Sequence, residues 1–184
     1  PDAIEILNNY SESDLANMFI NYSDLTNSRK IAKIIVEKRN RKKIKSSNNL
    51  NEILAEFINH GYENKFLARV YQAIRIEVNQ EIKNLKKLLI QLPYLLNQNG
   101  LVSIITYHSV EDRLVKRFFK NNCFDNEPIK DDFGNKILSI KPKYNFIKPS
   151  ELEIKSNPRA RSAKLRTAVK IWQIKLLTYL WGNF

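Results

Sequence analysis

The 184-residue chain has little cysteine, little glycine and few acidic residues. Its single cysteine, Cys123, excludes a disulfide framework or a cysteine-based metal site within the chain, which fits a reducing compartment. No apolar run approaches the roughly 18 residues of a membrane span, so no membrane segment is expected. The sequence also lacks a P-loop, zinc-ligand spacing and a Ser-His-Asp order, so it predicts neither a metal site nor these chemistries.

The scarcity of acids leaves the chain strongly basic, with 31 Lys and Arg against 19 Asp and Glu and a formal net charge of +12. This favours an anionic partner, nucleic acid before a membrane surface. Nine of the cations lie between Arg29 and Lys45, where Glu37 is the only acid. For this first cluster, solubility and compositional bias are as good an explanation as RNA. The seven cations after Glu153, among which there is no acid, favour RNA because their arginines are predicted in a loop.

The stretch Leu101–Lys120 predicts a strand, a tight turn and a helix. A β-branched apolar run after the turn at 97–100 is typical of a strand buried on both faces, as in parallel sheets. One face of the following helix carries the apolar residues Val110, Leu114, Val115, Phe118 and Phe119. Ser109 and Asp112 predict a capping box. His108 is placed at the carboxyl end of the strand, where open α/β sheets bind their ligands.

The residues before this stretch predict helices. Three helices over the first 63 residues form a small helical domain, and the longest helix starts at Asn64 or Lys65 and keeps its apolar stripe to Leu89. Pro93 predicts a kink or a further turn. A polar stripe flanks the apolar one on the long helix. It either ties the helix to neighbouring loops or shapes the site, by facing a nucleotide or supporting the catalytic loop. The residues of this stripe are Gln72, Arg75 and Asn79.

The residues after Lys120 predict a polar excursion followed by short elements. The excursion covers 121–143, a candidate strand covers Tyr144–Ile147, and a short helix covers Glu151–Lys155. Ala163–Ile171 is a further candidate strand. Trp172–Phe184 is an apolar tail whose role is left open.

Three ordered segments resemble motifs of a known family. They are Phe66–Glu81 (FLARVYQAIRIEVNQE), Thr106–Phe119 (TYHSVEDRLVKRFF) and Asn157–Ala168 (NPRARSAKLRTA). The segments Ala3–Glu12 and Ser28–Lys38 match a helical insert more loosely. The motifs resemble the RsmH (MraW) family, S-adenosylmethionine-dependent methyltransferases that modify N4 of a cytidine in small-subunit (16S) ribosomal RNA.

The resemblance implies an α/β fold, namely the C-terminal part of a Rossmann-like methyltransferase sheet preceded by a small helical insert domain. Domains are predicted at residues 1–63 and 64–184, with Lys164–Ile171 as the antiparallel strand that ends such sheets. The family's N-terminal half has no counterpart here, so the main loops for S-adenosylmethionine are expected in that missing half. Small-subunit rRNA or the 30S subunit is the implied partner, in the cytoplasm and without a membrane. A homodimer is left open.

The chemistry that the resemblance implies needs placement and a proton acceptor. The N4 lone pair of cytosine is delocalised into the ring, so methyl transfer depends on close positioning of an unstacked base. His108 is the candidate general base, and Ser109 is the second candidate catalytic residue. The alternatives are a structural hydrogen bond for His108 and a helix cap for Ser109. Glu111 and Arg113 are expected to shape the site.

The C-terminal cations are the predicted RNA contacts. Small residues between cations let a backbone approach a phosphate, which guanidinium groups can grip bidentately. The alternative is an internal network that bridges loops. The predicted contacts are Arg159, Arg161, Lys164 and Arg166.

Two other functions compete with the enzyme. The first is a non-catalytic basic protein that binds rRNA or assists ribosome assembly on the same scaffold, favoured by the lack of a glycine-rich nucleoside loop in these residues. The second is a membrane-surface binder that uses the segment Ile171–Phe184 with its nearby cations.

Overall fold

A computed structural model describes residues 1–58, 61–124 and 127–171. The predicted tail Trp172–Phe184 lies outside these residues. The fold is mixed α/β, as predicted. The chain divides into two compact units, Pro1–Ile82 and Lys83–Phe184. Of the described helices, none has the length and apolar character to cross a membrane.

The first unit is helical. Its α-helices are α1 (Ala3–Asn9), α2 (Glu12–Tyr22), α3 (Ser28–Arg41), α4 (Ser47–Leu54) and α5 (Glu63–Val78). Apolar faces of these helices meet in one core, in which α2 packs against both α3 and α5. The largest fully buried side chains of this core are Phe19, Ile6, Leu15, Ile31, Ile35, Ile44, Leu50 and Leu54.

Side-chain caps fix where several of these helices begin. Asp2, Ser11 and Ser46 each accept a hydrogen bond from the backbone N–H three residues further on. Such caps satisfy amides that have no partner within the helix. The three helices predicted after Ser11 are confirmed as α2, α3 and α4, of which α3 begins without a side-chain cap, and the short helix α1 precedes them.

The helix predicted to run from residue 64 or 65 to Leu89 is two helices. It breaks after Val78, where Gln80 has a φ of 51° in the left-handed region, and α6 (Glu81–Leu95) follows. The prediction of one continuous helix was wrong because the apolar spacing continues across the break. Pro93 lies inside α6 and does not end it. The boundary between the compact units follows residue 82, whereas the predicted domain boundary lies between residues 63 and 64. The helix α5 belongs to the first unit because it packs on α1 and α2.

Replacing Gln80 by glycine is expected to stabilise the chain by up to about 1 kcal/mol, because glycine adopts a positive φ without a Cβ clash. The free energy of unfolding from urea titration, followed by far-UV circular dichroism, measures this. Gln91→Gly is the matched control within α6, where glycine should destabilise by about 0.5–1 kcal/mol. A loss of stability in Gln80→Gly would contradict the prediction.

The second unit contains the sheet. Its further elements are β1 (Leu101–Thr106), α7 (Ser109–Asn121), β2 (Ile140–Ile147), α8 (Glu151–Ser156) and β3 (Lys164–Lys170). The strand order is β1-β3-β2, and both pairs are antiparallel. The short helix α8 and the antiparallel last strand are confirmed. The predicted strand Tyr144–Ile147 is the second half of β2, which begins at Ile140, within the predicted excursion. The core against the sheet consists of Leu89, Leu92, Val115, Phe118, Phe119, Ile140 and Ala168.

The strand β1 differs from its prediction. It was expected to be buried on both faces of a parallel sheet, but its one partner among the described residues is the antiparallel β3. Val102 and Ile104 pack toward the core, whereas Leu101 and Ile105 on the other face are 51% and 55% exposed. A short apolar run does not reveal which face is covered, since both faces carry apolar side chains in either case.

Candidate functional site

The turn between β1 and α7 is built around a cap that lies one residue earlier than predicted. His108 is the N-cap, and its Nδ1 accepts a hydrogen bond from the Glu111 N–H at 3.3 Å. The Glu111 carboxylate in turn accepts one from the Tyr107 N–H at 3.0 Å. The predicted capping box of Ser109 with Asp112 was therefore wrong. Ser109 is the exposed first residue of α7, and Asp112 bonds to β3 instead.

Both ring nitrogens of His108 face Glu111. Nε2 lies 3.3 Å from a Glu111 carboxylate oxygen, and Nδ1 acts as the cap acceptor. Burial alone would raise the pKa of Glu111. Hydrogen bonds from His108 and the Tyr107 N–H nevertheless hold this pKa below its ordinary value. Nδ1 cannot take a proton without releasing the cap. The geometry thus favours the structural alternative for His108, and the catalytic roles of His108 and Ser109 stay predictions.

Asp112 joins the second and third sequence motifs. Arg166 grips its carboxylate bidentately, with Nε at 2.6 Å and Nη2 at 3.1 Å, and Lys164 Nζ donates at 2.9 Å. The side chains of Asp112 and Arg166 are each 11% exposed. Burial by itself would raise the pKa of Asp112, but the hydrogen bonds from Arg166 and Lys164 lower it. This network fixes α7 on β3.

This role of Asp112 was not predicted from the sequence. A signal was present, because Lys164 and Arg166 are two residues apart in a strand and so share a face. Two cations on a covered face need an acid nearby. Phe146 covers the network, with its ring centroid 5.3 Å from Lys164 Nζ and 5.4 Å from the Arg166 guanidinium carbon.

The structure divides the four predicted RNA contacts into two pairs. Lys164 and Arg166 form the internal network that was the alternative to RNA contact. Arg159 and Arg161 are exposed on the 3-10 turn Pro158–Ser162, and neither makes an ion pair with a described residue. The buried Ala160 anchors this turn, which we call the arginine turn. RNA binding by the four residues stays a prediction.

The polar stripe of α5 makes contacts within the first unit. Gln72 donates to the Tyr22 carbonyl at 3.1 Å. Arg75 grips Glu81 with Nε at 2.9 Å and Nη2 at 3.2 Å, and Asn79 donates to the same carboxylate at 3.0 Å. These bonds tie α5 to the ends of its neighbours, as the structural alternative expects. Of the other predicted site-shaping residues, Arg113 is exposed on α7.

The Asp112 network is expected to make stability depend on acid. Because the folded pKa of Asp112 lies below its ordinary value of about 3.9, its contribution is complete above about pH 5 and is lost as the pH falls through the folded value. Urea midpoints measured from about pH 6 down to about pH 2 should therefore fall. The urea midpoint of Asp112→Asn should fall less steeply with decreasing pH than that of the parent chain. An equally steep fall in the two proteins would show that Asp112 is not the source of the acid dependence.

The described residues do not fit a methyl-donor site of the usual kind. Such sites place a glycine-rich turn after a strand and before a helix, so that the backbone can approach the ligand. Gly100 precedes β1, while Gly61 and Gly134 lie in turns that follow no strand. The strand β1 leads into α7 through Tyr107 and His108, and β2 leads into α8 through residues 148–150, so neither connection contains a glycine.

Comparison with known proteins confirms the family resemblance of the three ordered motifs. The MraW methylase family model matches residues 2–171, and the chain belongs to this family. It is 48% identical over 169 residues to a relative from Christiangramia forsetii, covering 92% of this chain and 56% of that protein. A relative from Flavobacterium johnsoniae is 46% identical with the same coverage of both chains.

More distant relatives carry the same name. One from Brachyspira hyodysenteriae is 42% identical over 175 residues, covering 92% of this chain and 55% of that protein. All three are named ribosomal RNA small subunit methyltransferase H. The chain spans about half the length of the curated relatives it matches.

Proposed function

We propose that this chain acts as the C-terminal, RNA-reading part of an S-adenosylmethionine-dependent methyltransferase that modifies N4 of a cytidine in small-subunit rRNA. Membership of the MraW methylase family carries the proposal. The names of the relatives support rRNA as the substrate. The net charge of +12 and the exposed arginine turn supply surfaces suited to phosphate.

In the proposed reaction, the residues of this chain hold the target base in position. N4 is a weak nucleophile, so the reaction depends on holding the unstacked base in one orientation, and positioning can contribute up to roughly 7–11 kcal/mol. S-adenosylmethionine supplies the electrophilic methyl group when bound. The arginine turn would hold phosphates beside the target base. His108 and Ser109, at the end of β1, would border the pocket for the base.

A segment exchange tests this function. In the chimera, this chain replaces the segment that it matches in the Christiangramia forsetii relative. The chimera is expected to methylate small-subunit rRNA, and mass spectrometry of the digested RNA should find N4-methylcytidine. The unaltered relative is the matched control.

Two outcomes would contradict the proposal. A folded, RNA-binding chimera that leaves the RNA unmethylated, while the relative methylates it, would favour the non-catalytic rRNA-binding alternative. A methyl group on C5 of the base or on a ribose would contradict the N4 assignment. The non-catalytic alternative is supported by one observation. The described residues contain no glycine-rich turn between a strand and a helix.

Two substitutions in the chimera separate the roles of His108. Asparagine is a good N-cap, so His108→Asn keeps the cap and removes the imidazole, whereas His108→Ala removes both. A positioning role predicts that Asn retains turnover within a few-fold and that Ala lowers it. If His108 takes the proton itself, both variants should lose turnover by about 10²–10⁴-fold.

A further inference from the structure

A second basic surface lies in the helical unit, far along the sequence from the arginine turn. It comprises the end of α3, the connector at 42–46 and the start of α4, and we call it the connector surface. We propose that the connector surface binds the phosphate backbone of RNA. The inference rests on the proposed function, which makes rRNA the partner. Its cations are Lys38, Arg41, Lys42, Lys43 and Lys45.

These five cations are exposed, and none forms an ion pair with any residue in the described parts of the chain. Other cations of the same run do have partners. Arg39 donates to the Leu7 and Tyr10 carbonyls at the end of α1, and Lys33 pairs with Glu37 at 3.9 Å. Arg29 and Lys30, at the start of α3, are likewise exposed without an ion pair to a described residue. The other five unpaired cations of the run lie together at the connector.

Helix electrostatics account for only part of this concentration. Cations in the last turn of a helix interact favourably with its dipole, which explains Lys38 and Arg41. Lys42 and Lys43 lie beyond the helix, and Lys45 precedes the N-terminus of α4, where a cation is unfavourable. Local helix stability therefore gives no reason for these three lysines.

The connector is held in one conformation. The side-chain amide of Asn8 bonds Ile44 twice, accepting from its N–H at 3.0 Å and donating to its carbonyl at 2.8 Å. The Ile44 side chain is buried in the core of the unit. The Lys45 N–H donates to Asn49 Oδ1, and Ser46 caps α4. The lysines on both sides of Ile44 are thus presented on an ordered backbone, so RNA would not have to order it.

The surface is concave. A cavity of about 330 Å³ lies between the end of α3 and the side of α4, lined by Lys38, Arg41, Lys42 and Lys43. Ile44 and Ile53 contribute apolar walls, and Glu52 is the acid on its rim. A concavity with cations on several sides surrounds a phosphate better than a flat lysine patch does, because it brings several donors to one group. The connector surface thus combines unpaired cations, an ordered backbone and a concave shape.

The test compares salt dependence in charge variants of the 184-residue chain. Binding of a fluorescent small-subunit rRNA fragment is followed by anisotropy over a series of KCl concentrations. The triple variant Lys42→Gln, Lys43→Gln, Lys45→Gln should lower the slope of log Kd against log salt by about 2 to 3, because each phosphate contact contributes about 0.9 for a duplex. It should weaken binding at least about tenfold at low salt.

A matched control removes three cations from the other end of α3. Arg29→Gln, Lys30→Gln, Lys33→Gln changes the net charge equally. Arg29 and Lys30 lie roughly 12 Å or more along the helix from Lys38, beyond a Debye length of about 10 Å at 0.1 M salt, and Lys33 lies nearer but is paired with Glu37. This control should leave the slope nearly unchanged. If both triple variants lower the slope of log Kd against log salt equally, the effect comes from the net charge of the chain and not from the connector surface, and the proposal is overturned.

Asn8→Ala tests the order of the connector separately. It keeps every cation, so the salt slope should stay the same, while affinity should fall about three- to tenfold because RNA must now order the connector. A loss of slope in Asn8→Ala, or unchanged affinity, would contradict this part of the inference.

The outcomes separate this inference from the proposed function. If the parent chain does not bind the RNA in a salt-sensitive way, the proposed function fails. If the parent binds and the connector variant keeps the full slope, only the connector surface is wrong. Sedimentation with phosphatidylserine vesicles is the parallel assay: if the connector variant loses vesicle binding but keeps RNA binding, the surface serves an anionic membrane and the proposal is overturned.

Discussion

Replacing Asp112 by alanine is expected to destabilise the second unit by about 3–5 kcal/mol, because it leaves the buried guanidinium of Arg166 without its counter-charge. Lys164 can turn toward solvent, since its side chain is 36% exposed, but Arg166 cannot. Urea unfolding, with hydrogen exchange of the β3 amides to locate the loss, measures the effect.

Two controls show that the cost comes from the unpaired buried charge. The double variant Asp112→Leu, Arg166→Met replaces the pair by apolar side chains and should recover most of the lost stability. Glu127→Ala removes the exposed pair with Lys130 and should change stability by less than about 1 kcal/mol. A change below about 1 kcal/mol for Asp112→Ala itself would mean that the network does not fix α7 on β3.

Replacing both Arg159 and Arg161 by alanine is expected to weaken binding of small-subunit rRNA by roughly tenfold to a hundredfold at low salt. The slope of log Kd against log salt should fall by about 2, one for each lost phosphate contact. The physical reason is that both side chains are exposed on an anchored turn and form no ion pair with described residues. Fluorescence anisotropy over a salt series measures both quantities.

Arginine-to-lysine exchange at the same two positions is the matched control. It keeps both charges, so the salt slope should remain, while affinity should fall where a guanidinium grips a phosphate bidentately. Stability should be unchanged in both double variants, because neither side chain is buried. An unchanged slope in the alanine variant would mean that the two arginines do not contact RNA.

The sequence predicted those elements whose signals are local. The strand β1 and the helix α7 follow from a β-branched run and a 3.6-residue apolar stripe between Leu101 and Lys120. The antiparallel β3 came from the family resemblance and is confirmed. The break at Gln80 could not be predicted, because the apolar spacing of α5 and α6 is continuous and the break is stabilised by the Arg75 and Glu81 pair.

The candidate site depended on contacts that sequence spacing does not show. Asp112 was interpreted as a cap because Ser109 stands three residues before it, but its partners Lys164 and Arg166 lie more than fifty residues away. Their distance in sequence hides the pairing until the sheet brings α7 and β3 together. The same contact separates Lys164 and Arg166, which pair with Asp112, from Arg159 and Arg161, which are exposed. The sequence motif alone does not separate these two pairs.

The role of the basic run at 29–45 could not be predicted from the sequence either. Its composition is explained equally well by solubility and by RNA binding. Only the structure distinguishes Arg39, which caps the end of α1, from Lys42 and Lys43, whose side chains form no ion pair with a described residue. The Asn8 contact with Ile44 that orders the connector joins residues far apart in sequence, and no local pattern predicts it.

Calorimetric titration of the 184-residue chain with S-adenosylmethionine and, separately, with a small-subunit rRNA fragment tests whether this chain reads RNA without holding the methyl donor. We expect salt-sensitive RNA binding and no donor binding, because the described residues lack a glycine turn between a strand and a helix. Donor binding in the micromolar range would show that the methyl-donor site is built from these residues in another way. RNA binding that is absent or insensitive to salt would contradict the claim that this chain reads RNA.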